Sequence, residues 1–126
     1  MSDTTPGKIL GIGGIFFKAQ NHETLRAWYQ EKLGIVNGPG GAMFPWRDAE
    51  NPETERLTVW SIFPAESDYY RGPFMINYIV DDLDAYLAKL TAAGVAIDPK
   101  RDDHDYGRFA WIYDSEGTKI ELWQPT

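Results

Sequence analysis

The chain contains no cysteine. That absence excludes disulfides, thiolate metal sites and cysteine nucleophiles together, and it suits a reducing, cytoplasmic setting. Histidine is scarce too, at two residues, so the commonest metal ligand has few places to sit. No apolar run approaches a membrane span, and no membrane partner is expected. No basic cluster offsets the formal charge of −7, made by 19 acidic against 12 basic side chains. Such a surface repels a phosphate backbone, which argues against a nucleic-acid partner. A negative field favours cationic small molecules, although acidity also serves solubility. Residues 1–7 are polar, without the basic and apolar regions of a secretory signal, and are expected to form a disordered tail.

What the chain does hold is its own architecture twice. Residues 14–29 read as strand, cap and amphipathic helix, and residues 75–90 repeat that pattern sixty-one positions later. The same offset carries Val59–Pro64 onto Ile120–Pro125. Two landmarks sharing one offset predict two copies of a supersecondary unit. At 126 residues and 43% apolar composition, one globular domain is expected. Each half, at roughly 60 residues, is marginal alone, so the two should share a core. The domain is placed over residues 8–124, as units 8–63 and 74–124 joined by a linker over 64–73.

Within the first unit, β-branched and aromatic residues predict a strand from Lys8 to Phe17. Asn21 caps a helix whose apolar side carries Leu25, Trp28, Tyr29 and Leu33, with Trp28 read as core, and Gly34 closes it. Ala42–Arg47 is a strand with Pro45 suited to an edge, followed by a polar turn and a strand over Arg56–Phe63. In the second unit a strand over Phe74–Val80 leads to a cap at Asp81 or Asp82 and a helix stopped by Gly94. Val95–Ile97 reads as a short strand and Lys100–Asp105 as a charged loop. Arg108–Tyr113 and Thr118–Trp123 then form a hairpin, with Gly117 at a positive-φ turn position.

In the last strand, Ile120 and Leu122 alternate with Lys119, Glu121 and Trp123. The aliphatic face should lie on a helix, and the face with a charge and a large ring should line a cavity. A five-residue turn over Asp114–Thr118 would set Trp111 opposite Glu121 and Phe109 opposite Trp123. A one-residue slip would reverse the faces. Trp60 is placed with Trp111 and Trp123 as rings able to stack on a planar or cationic ligand. Phe16 and Asn77 should share the faces of Gly14 and Met75, making Asn77 a buried amide in need of a partner. Arg108 is a candidate for an anionic group of a ligand. His104, flanked by Asp102, Asp103 and Asp105, reads as a solvated loop residue before a proton shuttle. The glycines at 11, 13 and 14 fall inside a strand, not at a helix N-terminus, so nucleotide binding is not expected.

The two β-α-β-β-β units, the run Leu25–Gly34 (LRAWYQEKLG), the run Val80–Asp84 (VDDLD) and the terminal Asp114–Trp123 (DSEGTKIELW) resemble the vicinal oxygen chelate superfamily. Its members include glyoxalase I, bleomycin-resistance proteins, fosfomycin-resistance enzymes and extradiol dioxygenases. The resemblance implies an α+β fold: two tandem units forming a curved mixed sheet around a cavity, with the helices outside. It also implies a divalent ion held by His, Gln or Glu on the first and last strands of each unit. The matching positions here are Gly14, Trp60, Met75 and Glu121, of which only Glu121 could serve a hard cation. One carboxylate is short of the usual three protein ligands.

The expected function is therefore a metal-independent, cofactor-free binding protein, similar to the bleomycin-resistance branch. Glu121 and the walls Phe16, Trp60, Met75, Asn77, Arg108, Trp111 and Trp123 would hold a planar or cationic small molecule. The first alternative is a divalent-metal-dependent enzyme like glyoxalase I or an extradiol dioxygenase. A further alternative is metal-free acid–base catalysis by Glu121, desolvated in an aromatic pocket. The long linker permits exchange of units between chains, and a homodimer is expected.

Overall fold

The computed structural model describes residues 6–38 and 40–126. In chain order its elements are β1 (Ile9–Ala19), α1 (His22–Leu33), β2 (Ala42–Arg47), β3 (Glu55–Pro64), β4 (Phe74–Val80), α2 (Leu83–Ala92), β5 (Ala96–His104), β6 (Gly107–Tyr113) and β7 (Lys119–Pro125). The strands make one mixed sheet in the order β2-β3-β1-β4-β7-β6-β5. Within each unit the first and last strands pair in parallel, β1 with β3 and β4 with β7. The units join in the middle through the antiparallel pair β1–β4. This is the α+β fold expected from the duplicated pattern. The first unit closes with two strands after its helix where the second closes with three, and Gly38–Gly41 forms only an isolated bridge.

Local chemistry sets the helix ends. Asn21 accepts a hydrogen bond from the Thr24 N–H at 3.2 Å, and Gly34 takes the left-handed conformation at φ 73°. Asp82, rather than Asp81, caps α2 by accepting from the Ala85 N–H at 3.0 Å. Asp81 instead receives the N–H groups of Gly7 and Lys8 at 2.9 and 2.8 Å. The tail expected over residues 1–7 is thus pinned at Gly7, which is buried, while residues 1–5 lie outside the described residues.

Under α2 the core is aliphatic: Val80, Leu83, Ala110, Ile112 and Leu122 pack together, with Leu83 and Leu122 wholly buried. Each Val, Leu or Ile among them contributes about 1.5–3 kcal/mol by leaving water. The aliphatic face of β7 lies on a helix as its alternation implied. The first unit is thinner. No residue of α1 is fully buried, and Trp28, expected in the core, is 47% exposed, its ring packed edge-on against Tyr29. With one strand fewer in its unit, α1 has less sheet to cover.

A second departure matters more for the site. Lys100–His104, expected as a loop, is the outer half of β5, paired with β6 through Asp102↔Phe109 and His104↔Gly107 after an irregularity between Ile97 and Arg101. Its charges alternate between two faces. Arg101 and Asp103 meet Asp84 and Arg108 on the helix side. Asp102 and His104 point to the other side. A charge-rich sequence hides a strand from hydrophobic patterning, and charge is how an edge strand avoids pairing with other chains.

Candidate functional site

Hydrogen-bond register sets the floor of the site. Val59, Gly14, Asn77, Glu121 and Trp111 are successive neighbours across β3, β1, β4, β7 and β6. Above them opens a cavity of about 510 Å³ on the face of the sheet away from the helices. β1 comes close to Asn77 here. A Cβ on Gly13 would stand 2.4 Å from Asn77 Oδ1 and 2.7 Å from Ile79 Cγ1, so glycine leaves room for both side chains.

Glu121 is 4% exposed, and three side chains from three elements donate to it. Asn77 Nδ2 donates to Oε1 at 2.7 Å, and Trp111 Nε1 donates to Oε2 at 3.0 Å. The Tyr69 hydroxyl, brought over by the linker, donates to Oε2 as well. Three donors satisfy a carboxylate that has no ion pair among the described residues. Burial, the charge of Glu121 and the hydrogen bond to it push the Tyr69 phenol well above its ordinary range, so it remains a donor.

Beside Tyr69, Tyr70 is 2% exposed and its hydroxyl has no protein partner among the described residues. Burial pushes its phenol up to about 12 from 10.0. Between those values the unfolded chain sheds a proton that the folded chain keeps, so stability falls as pH rises. Tyr70→Phe should flatten that alkaline loss and, with no hydrogen bond forfeited, leave stability at pH 7 unchanged or higher by up to about 1 kcal/mol. Denaturant titrations at pH 7 and 11 check this. A variant less stable at pH 7 would mean the hydroxyl has a partner.

The walls are aromatic. Phe109 and Trp123 face the cavity as cross-strand partners, their rings 5.8 Å apart and within 6° of parallel. Trp123 Nε1 donates to the Tyr106 carbonyl at 3.1 Å. Gly107, at φ 146°, makes room for that contact, since a Cβ there would sit 2.3 Å from the indole nitrogen. His104 stacks on Tyr106 at 5.0 Å and meets Phe109 edge-on at 5.8 Å. Phe16, Met43, Leu57 and Val59 close the opposite side.

Of the residues singled out from the sequence, Glu121, Phe16, Asn77, Trp111 and Trp123 meet at this cavity. Met75 is wholly buried beneath it with Tyr70 and Trp111. Two others are corrected. Trp60 packs on Phe17 and Tyr29, on the face toward α1. Its β1 partner is Ile15, whereas Glu121 pairs with Asn77, so the fixed offset is off by one residue and the faces invert. Val59 is the cavity-facing neighbour of Gly14. Arg108 points to the helix side, where it bonds Asp84 at 3.1 Å. Tyr69, Asp102 and Tyr106 were not singled out, and His104, read as a solvated loop residue, instead lines the cavity from a strand. The alternation of Asp102 and His104 was available as a signal, but nothing in the linker sequence marked Tyr69.

The divalent ion that the resemblance implies does not fit these residues. Glu121 has both oxygens engaged by protein donors, and its row neighbours are a valine, a glycine and an amide that donates to it. Among the described residues no three His, Asp or Glu side chains gather where they could hold a metal.

The model of the Glyoxalase/Bleomycin resistance protein/Dioxygenase superfamily matches residues 11–122, and the chain belongs to that superfamily. A comparison with curated proteins gives no significant match. Among solved structures, the methylmalonyl-CoA epimerase of Mycobacterium tuberculosis aligns with a TM-score of 0.61 at 20% identity, covering 100% of this chain and 93% of its own. A Streptomyces coelicolor methylmalonyl-CoA epimerase variant, in complex with 2-nitronate-propionyl-CoA, aligns with a TM-score of 0.66 at 15% identity over 94% of this chain and 99% of its own. A Legionella pneumophila protein described as an NAD-dependent benzaldehyde dehydrogenase aligns with a TM-score of 0.58 at 13% identity, covering 90% and 98%. At such identities the likeness is one of fold.

Proposed function

We propose that the chain is a metal-independent small-molecule binding protein of its superfamily, taking a planar or cationic ligand into the aromatic cavity. The observation that carries this is the state of Glu121. The one carboxylate at a family metal position is held by Asn77, Trp111 and Tyr69 as part of the floor, leaving an aromatic-walled space above it. Such a space suits stacking, and the net charge of −7 favours a cation. The same proposal has the chain acting as a cytoplasmic homodimer. It is supported by the absence of cysteine and by Trp28, Leu33 and Val36, each about half exposed or more near α1, and light scattering reads the mass.

The test is calorimetric titration with N-methylquinolinium, a planar cation, before and after exhaustive chelation. Binding should be unchanged by chelation and fall about tenfold or more in Phe109→Ala and Trp123→Ala, each of which removes one stacking wall. Binding that vanishes on chelation and returns with Ni, Zn, Mn or Fe would establish the metal-dependent alternative instead.

A further inference from the structure

Two carboxylates line the cavity, and they differ in what is left for a ligand. Glu121 is buried and its oxygens already receive three donors. Asp102 lies on the cavity face of β5, and its side chain is 38% exposed. Among the described residues its ion-pair partner is Lys100 Nζ at 3.8 Å, a lysine whose side chain is 62% exposed. Such a long, solvated pair is worth little and yields readily to a better cation.

Around Asp102 the rings form a corner. Phe109 is its direct cross-strand partner and continues into the near-parallel ring of Trp123. His104 and Tyr106 stand as a second stacked pair, turned 67° and 71° from Phe109. Aromatic faces meeting at a steep angle beside an available carboxylate are the arrangement that holds an organic cation, through ring quadrupoles and a countercharge. Among the described residues no Arg or Lys lines the cavity, and the exposed Lys100 approaches it with its Nζ 5.4 Å from the centre of the Trp111 ring.

We infer that Asp102, not Glu121, is the anchoring anion of the site, and that the ligand is a planar organic cation. Its charged centre sits against Asp102 and its ring lies along Phe109 and Trp123. This rests on the cavity being a ligand site, as proposed above, and adds which carboxylate selects the charge.

The test pairs N-methylquinolinium with its neutral isostere 1-methylnaphthalene, each titrated against wild type, Asp102→Asn, Glu121→Gln and Asp103→Asn. Wild type should prefer the cation by about tenfold or more. Asp102→Asn should erase that preference by weakening the cation alone, with the neutral probe held as before. Asp103→Asn, which removes one charge from the same strand on its helix-side face, should keep the wild-type preference. Equal binding of both probes by wild type would overturn the assignment of the site to cations while leaving a stacking cavity intact. Preference lost in Glu121→Gln but kept in Asp102→Asn would overturn the choice of carboxylate. Binding of neither probe would overturn the assignment together with the proposed function. Should Asp102→Asn not fold, Asp102→Glu moves the charge by one methylene, and an unaltered preference for the cation there and at raised salt would count against the assignment.

Discussion

Trp111→Ala is expected to cost about 3–5 kcal/mol, lowering the melting temperature by on the order of 10–20 °C. Two separate losses combine. The ring is 2% exposed and packs with Met75 and Tyr70 beneath the cavity, so its removal leaves a void that neighbouring strands cannot close. The indole also gives Glu121 one of its donors, at 3.0 Å. Trp111→Phe separates the two. It keeps most of the ring but leaves the carboxylate one donor short, and should cost about 1–3 kcal/mol, the part owed to a hydrogen bond on a buried charge. Chemical denaturation of both variants reads the difference. If Trp111→Phe were as stable as wild type, Glu121 would not depend on the indole. If Trp111→Ala cost under about 1 kcal/mol, the ring would not be part of the packed floor.

The cavity was legible from the sequence in one half and obscured in the other, and the reason is register. In the second unit a short turn over Asp114–Thr118 fixes the hairpin, so the pairs Trp111↔Glu121 and Phe109↔Trp123 followed from counting residues. In the first unit no such anchor exists. β1 carries irregularities between Ile9 and Gly11 and between Ile12 and Gly14, and carrying the duplication across them by a fixed offset turned Trp60 to the wrong face. Polar strands were the other blind spot. Hydrophobic alternation finds the start of β5 at Val95–Ile97 but not its charge-rich outer half, which supplies Asp102 and His104. Tyr69 illustrates a third limit. Its role depends on where a ten-residue linker folds in space, and neither periodicity nor composition specifies that path.

Glu121→Leu should lower stability by about 2–4 kcal/mol, whereas Glu121→Gln should cost about 1 kcal/mol or less. Leucine fills the space but strips the partner from Asn77 Nδ2, Trp111 Nε1 and the Tyr69 hydroxyl at once. Two of those donors are buried and have no water to turn to, while half-exposed Tyr69 can recover one. Glutamine escapes most of this. Its oxygen can replace Oε2 for Trp111 and Tyr69, and its amide group can face Asn77 once the Asn77 amide rotates to present Oδ1, an acceptor with no protein partner among the described residues. The contrast separates the functional readings as well. A structural carboxylate predicts stability that tracks hydrogen-bonding capacity, with cation binding largely retained in Glu121→Gln. Acid–base catalysis predicts the same folding and binding for Glu121→Gln, but a turnover present in the parent is abolished. Thermal melts on the two variants test the scaffold role, and a turnover assay on Glu121→Gln beside its binding titration tests the catalytic one. Equal stability of the leucine and glutamine variants would remove it from the scaffold role.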